Sequence, residues 1–353
     1  MERFTIALIP GDGVGKEVVP AGLRVLHEAA TRDGTFTLDC EELPWGSEYY
    51  ERTGRMMPED GLTVLKRFDS IYLGAVGSPN VPDHVTLWGL LLPIRQRFNL
   101  YVNARPVKLF PGVQCPLRDK GPEQIDMLCI RENSEGEYSG VGGRVHETFG
   151  HEVALQVDVF TRQGVEGVVR YAFERARERR KHLSSITKSN ASPYSFVFWD
   201  DVVREVAIDY PDVEVARILV DAAAAYFITR PEIFDVVVAS NLFGDILTDI
   251  GAVLQGSMGL AASANINPEG GYPGMFEPVH GSAPDIAGQG IANPLGAVWA
   301  GALMLETLGK REAADAIMQA VARVLAAGEV RTRDLGGTAG TTDVADAVMA
   351  AME

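Results

Sequence analysis

A chain of 353 residues, 46% of them hydrophobic and 23% charged, has room for one large or two medium α/β domains and is ordinary in composition for a globular protein. Its net charge of -16 argues against nucleic acid or an anionic membrane as the main partner, so an anionic substrate needs a local basic cluster. The 3 cysteines, Cys40, Cys115 and Cys129, are odd in number and share no C-x-x-C spacing, which reads as reduced thiols in a cytoplasmic protein.

Phe4 to Ile9 predicts a buried first strand, too short and without the basic start of a signal peptide. Gly11-Asp12-Gly13-Val14-Gly15 follows, then a helix over Val14 to Ala30. Strand, glycine turn and helix suggest a dinucleotide site, but G-x-G-x-G has its third glycine one residue early, and a tight βα turn is the better reading. A strand is expected at Phe36 to Glu42, a helix at Pro58 to Phe68 and a strand at Ser70 to Leu73, running into the small-residue loop Gly74 to Pro79. Leu87 to Phe98 reads as largely helical and carries Trp88, Leu91, Leu92, Arg95 and Arg97. Tyr101 to Arg105 and Ile125 to Ile130 read as strands, delivering Arg105 and Arg131. These arginines are either surface cations or a buried anion site, for which bidentate guanidinium groups are suited. Tyr138 ends the loop after Arg131 and is either a packing residue or a proton donor.

Glu152 to Thr161 alternates like a strand, and Arg162 to His182 reads as a helix with a solvated basic end. The strand Leu183 to Thr187 delivers Lys188. A lysine desolvated there beside other cations would have a depressed pKa and could act as a base. A helix is expected over Ser192 to Ala207, then a strand over Val213 to Val220 leading to Asp221 and a helix from Ala222 to Thr229. Asp235 to Asp249 combines a buried-strand pattern with a helix bearing Asp245 and Asp249 one turn apart. Alone, the pair reads as a solvated polar face. The neighbours Leu242, Phe243, Ile246, Leu247 and Ile250 predict burial instead, where paired carboxylates call for a hard cation such as Mg²⁺ or Mn²⁺. A long polar loop spans Phe276 to Pro294, and helices at Leu295 to Leu308, Arg311 to Ala327 and Thr342 to Met352 close the chain.

Asn241-Leu-Phe-Gly-Asp-Ile-Leu-Thr-Asp and Glu277-Pro-Val-His-Gly-Ser-Ala-Pro-Asp-Ile-Ala-Gly, within a likeness that starts at Ile9-Pro-Gly-Asp-Gly, resemble the metal-dependent β-decarboxylating 2-hydroxyacid dehydrogenases. The resemblance covers essentially the whole chain. It implies an α/β, isopropylmalate-dehydrogenase-like two-domain fold with a large mixed sheet flanked by helices, not a standard Rossmann fold. Residues 1–100 and 256–353 would form a larger discontinuous domain with the cofactor site, and 101–255 a smaller one with the metal site and dimer interface. By the same resemblance, Arg95, Arg105 and Arg131 bind substrate carboxylates, Tyr138 is the general acid and Lys188, from the partner subunit, the general base. Asp221, also from the partner, joins Asp245 and Asp249 at Mg²⁺ or Mn²⁺. His280, Gly281, Ser282, Ala283, Asp285, Ile286 and Asn293 line the adenosine side of the NAD site, with Asp285 set against a 2′-phosphate. Leu-Trp-Gly-Leu-Leu-Leu and Asn133 to Tyr138 look most like the D-malate/tartrate branch, with Trp88, Leu91 and Leu92 filling the space of a C3 substituent. The alternatives are 3-isopropylmalate dehydrogenase and, in another class, a metal-dependent phosphohydrolase. A K⁺ requirement and the role of Arg97 stay open.

Overall fold

A computed structural model describes residues 1–146, 148 and 150–352. Strand β1 (Glu2–Gly11) leads through the glycine turn into α1 (Gly15–Asp33), then β2 (Phe36–Glu42), the short helices α2 (Ser47–Thr53) and α3 (Gly61–Leu65), and β3 (Ser70–Ala75). Only α3 remains of the helix expected over Pro58 to Phe68, and α2 was not foreseen. A helical stretch follows as α4 (Asp83–Thr86), a π-turn (Leu87–Leu91) and α5 (Leu92–Arg97), then β4 (Val102–Lys108) and β5 (Asp126–Glu132). Strands β6 (Gly136–Val145) and β7 (Val153–Val159) form a separate antiparallel arm. Tyr138 therefore lies within a strand and not at a loop end, because the glycine- and glutamate-rich start of β6 masks its β pattern. The chain continues with α6 (Arg162–Arg177), β8 (His182–Thr187), α7 (Ser195–Ala207), β9 (Glu214–Leu219), α8 (Val220–Thr229), β10 (Val236–Ala239) and α9 (Asn241–Leu254). Strands β11 (Ala262–Ile266) and β12 (Gly274–Pro278) precede α10 (Leu295–Thr307), α11 (Arg311–Ala327) and α12 (Thr341–Ala351). β12 occupies the start of the region read as a loop; its Pro and Glu hide a buried strand.

Ten strands make one mixed sheet in the order β2-β1-β3-β12-β11-β4-β5-β10-β8-β9. β2, β1, β3 and β12 run parallel to one another, as do β5, β10, β8 and β9, while the central β11 and β4 are antiparallel to each other and to their outer neighbours β12 and β5. Helices cover both faces, as a sheet of continuous Val and Ile runs requires. Val236 to Ala239 illustrate this: all are at most 2% exposed. The glycine turn serves this packing. Gly13 has φ +53°, and a Cβ there would stand 2.0 Å from the Ser282 carbonyl oxygen. Val14 N–H donates to the same oxygen at 2.8 Å, so the turn fastens the His280 loop to the first strand. The basic run after α6 is not simply solvated: Arg179 donates to Asp235 at 2.8 Å and to Asp126 at 2.7 Å, fixing the start of β10. Among the described residues no helix is long and apolar enough to cross a membrane.

Candidate active site

Register assembles the first half of the site. In the β4–β5 ladder Asn103 faces Arg131, so Arg105, two residues on, projects from the same side. Arg95 reaches this point from α5, Asp245 from α9 and Tyr138 from β6. All five side chains border one cavity of 210 Å³, together with Leu87, Leu91, Leu92 and the loop residues Gly74 to Val76. The three guanidinium groups are 3–6% exposed, and such burial is tolerable only with partners. Arg95 donates to Glu277 Oε1 at 2.6 Å. Arg105 donates to Asn103 Oδ1 at 2.6 Å and Thr248 Oγ1 at 2.7 Å. Arg131 donates to Asn241 Oδ1 at 2.6 Å and Asp245 Oδ1 at 2.5 Å. Guanidinium groups still outnumber carboxylates around this space, which leaves a local positive well in an acidic protein.

A buried carboxamide holds the well together. Asn265, 0% exposed, donates to Glu277 Oε1 at 3.0 Å and to the Met275 carbonyl at 2.9 Å. Its Oδ1 accepts from Asn103 at 2.9 Å and Asn133 at 3.0 Å. Both its donors and both lone pairs are thus used, and Arg95 and Arg105 are linked through one side chain. Sequence reasoning missed Asn265 and the role of Glu277, although Glu277 sits in one of the recognisable segments.

These surroundings set the ionisation of the cavity. Burial and the neighbouring Arg105 push the Arg131 guanidinium down to about 9, with Asp245 pulling the other way. Burial opposes ionisation of Asp245, but Arg131, Arg105 and Arg95 outweigh it and hold its carboxyl below the usual range. The Tyr138 phenol lies 3.5 Å from Asp245 Oδ2; burial and that carboxylate push its pKa up, so it keeps its proton at neutral pH. Asp249 stands on the open side of α9, forms no ion pair among the described residues, and is pushed up by partial burial and by Asp245. A carboxylate pair with this tension has the hard oxygen donors that a divalent cation prefers.

Three expectations need revision. Trp88 is 41% exposed and does not border the cavity; Leu87 does, with Leu91 and Leu92. Lys188 is not deeply buried within its own chain: it pairs with Asp221 Oδ1 at 2.6 Å, away from that chain's cavity. Ile246, expected to be buried, is 51% exposed. Among the described residues of one chain, no group of three or more His, Cys, Asp or Glu is arranged to hold a metal ion. Asp245 and Asp249 share a helix turn, and Asp221 stands apart from them.

The second half of the site opens beyond His280, which borders both the cavity and a neighbouring cleft of 590 Å³. Ala283, Asp285, Ile286 and Asn293 line that cleft with the apolar Val14, Ile291 and Ala292. Gly281 borders the cavity, while Ser282 is buried and acts through its carbonyl on the glycine turn. Asn293, just before α10, accepts from Leu295 N–H at 3.0 Å and donates to Asp334 at 2.9 Å. Glu17 on α1 accepts from Gly290 N–H at 2.8 Å, which ties down the loop. Burial pushes the His280 pKa down, so the ring is neutral, and its buried Nε2 has no partner. An apolar cleft with an unpartnered polar atom suits a dinucleotide. Arg333 and Asp334 also line it and were not foreseen.

Comparison with known proteins gives consistent matches. The family model described as isocitrate/isopropylmalate dehydrogenase matches residues 5–348. A protein of Bacillus subtilis named probable tartrate dehydrogenase/decarboxylase is 53% identical over 349 residues, covering 99% of this chain and 98% of its own. The D-malate dehydrogenase [decarboxylating] of Escherichia coli is 53% identical over 356 residues, covering 99% and 98%. Among solved structures, isocitrate dehydrogenase from Methylococcus capsulatus superposes with a TM-score of 0.88 at 35% identity, over 100% of this chain and 99% of that one.

Proposed function

The chain belongs to the isocitrate/isopropylmalate dehydrogenase family, and from that premise we propose that it oxidatively decarboxylates a D-malate-type 2-hydroxy acid, converting D-malate to pyruvate and CO₂ and accepting tartrate. The observation that supports this most is the buried arginine trio gathered with Asp245 around a small cavity walled by Leu87, Leu91 and Leu92. A small dicarboxylate matches its charge, and relatives named for tartrate and D-malate are 53% identical over nearly the whole chain.

In this reading Arg95, Arg105 and Arg131 hold the carboxylate that leaves as CO₂, and their burial strengthens that hold. Lys188 of a second subunit takes the C2 hydroxyl proton, directly or through water. Tyr138 then delivers its proton at C3, a task suited to a phenol that stays protonated. Asp245 and Asp249, with Asp221 of the second subunit, would hold Mg²⁺ or Mn²⁺, and the cleft beside His280 would hold NAD. When bound, NAD supplies the hydride acceptor and the cation supplies electrophilic polarisation of the C2 oxygen. Asp285 favours NAD over NADP by repelling a 2′-phosphate.

The same reading makes the working unit a homodimer, with the domain division at 100/101 and 255/256. Support comes from apolar groups left open on the elements that would meet a partner: Val215, Ile228, Ile246 and Val253 are 37–51% exposed, and the arm exposes Val141, Leu155 and Val157. Sedimentation should give twice the 38.2 kDa chain mass. The substrate assignment is tested by following NADH absorbance with Mn²⁺ on D-malate, tartrate and 3-isopropylmalate. Much faster turnover of 3-isopropylmalate would sink it.

A further inference from the structure

The ladder between β6 and β7 breaks at the segment carrying Tyr138. Gly136 pairs with Val159 and Val141 with Val157, so the β6 residues between those pairs bulge opposite Asp158 alone. A bulge strips backbone groups of ladder partners, and those groups must be satisfied elsewhere. Here side chains do it. Gln156, from β7 itself, donates to the Glu137 carbonyl at 2.6 Å. Gln96 donates to the Tyr138 carbonyl at 2.9 Å. Gln96 belongs to α5 and follows Arg95, so this bond crosses from the arginine-bearing helix to the arm.

A second contact joins the π-turn that leads into α5 to the same arm. Gly140 has φ +78°, and a Cβ there would stand 2.9 Å from Trp88 Cη2. The indole is therefore seated on the glycine, two residues beyond Tyr138. This accounts for a large apolar side chain that borders no cavity.

We propose that Gln96 and Trp88 form a clasp through which α5 and the π-turn before it set the position of the Tyr138 phenol, with Gln96 as a positioning residue for proton delivery. The inference rests on the reading of Tyr138 as the proton donor. The bulge alone would leave Tyr138 on a loosely tied segment, and a small displacement of a proton donor is costly in rate. The clasp places the carboxylate-binding Arg95 and the tether of the acid on adjacent residues of one helix. Substrate binding and acid placement are then coupled through Gln96, without Gln96 touching the substrate.

The test uses the full-length enzyme with D-malate, NAD and Mn²⁺. Gln96→Leu removes the donor at similar volume, and Gln96→Lys keeps one. Gln96→Leu should lower kcat about tenfold, the effect of a misplaced acid and a lost hydrogen bond. KM for D-malate and NAD should hold, the melting temperature should stay the same, and the solvent deuterium isotope effect on kcat should rise. Gln96→Lys should restore most of kcat. Trp88→Ala should give a smaller loss with the same isotope signature. Unchanged kcat and isotope effect in Gln96→Leu would overturn the clasp, as would a loss that Gln96→Lys fails to rescue. Tyr138→Phe separates the layers: if it keeps full turnover, the proton-donor reading fails and the clasp with it. If Tyr138→Phe is inactive while Gln96→Leu is normal, only the clasp fails.

Discussion

Two groups of charged residues in this protein are handled in opposite ways. Around the cavity, Arg95, Arg105 and Arg131 are 3–6% exposed and every one is partnered within the chain. At the edge of the sheet, Lys188 and Asp221 have side chains 31% and 63% exposed and share a single ion pair. The first arrangement must be complete in each subunit, because an unpartnered buried cation would cost too much to fold. The second costs little when solvated, and it is free to be re-partnered by another surface. In the proposed dimer the buried half of the site is finished within the chain, and the half offered to a neighbour stays at the surface.

The sharpest way to break this comparison is Lys188→Ala. Loss of a general base should lower kcat by about 10²–10⁴-fold, with the fold intact by circular dichroism. Coexpression of Lys188→Ala with Arg131→Met chains should recover measurable turnover, because a mixed dimer rebuilds one intact site. No recovery would mean that both residues serve the same subunit's site. Next in size is Arg131→Met alone, which removes the nearer of the two cations paired with Asp245 and the guanidinium donor to Asn241 Oδ1. It should raise KM for the dicarboxylate by about 10²-fold, roughly 3 kcal/mol for breaking a buried pair. A KM within a factor of about two of wild type would remove Arg131 from the substrate site.

Asn265→Leu probes what holds the buried half together. It removes the acceptor of the Asn103 amide, one of the two acceptors of the Asn133 amide and a contact to Glu277, at roughly 1–3 kcal/mol for each group left unsatisfied. The melting temperature should drop by several degrees, whereas Ala substitution at the exposed Asp221 should leave it nearly unchanged. The smallest effect is expected from Asp249→Asn. Because the folded protein pushes the Asp249 pKa up, its stability contribution is fully present below the unfolded pKa and is lost as pH rises through the folded one. Asparagine mimics the protonated form, so the metal-free variant should melt slightly higher than wild type at pH 7 and equally at low pH. It should also lose the stabilisation that added Mn²⁺ gives the wild type. A variant still stabilised by Mn²⁺ would exclude Asp249 as a ligand.

Much of this architecture is legible in the residues alone. The apolar runs of β1, β3 and β10, the periodicity of α1 and α11, and the two motif segments set element order and point to the site. β6 and β12 escaped because glycine, proline and glutamate dominate their ends, and only pairing with β7 or β11 makes them strands. Lys188 illustrates a different limit. Strand-end position predicts a buried lysine, but its environment depends on β9, which brings Asp221 alongside.

What the sequence determines by itself is the set of local patterns and the chemical kinds of side chain available: guanidinium groups at helix and strand ends, paired carboxylates one turn apart, a glycine turn of the wrong spacing for a nucleotide. Tertiary structure alone decides which of them meet. Arg95 finds Glu277, Asn265 gathers Asn103 and Asn133, Trp88 settles on Gly140 instead of the cavity, and Gln96 holds the Tyr138 carbonyl. These contacts join residues far apart along the chain, whereas periodicity reports only on neighbours within a turn or two. Their geometry follows from strand register and helix packing, which no local pattern encodes.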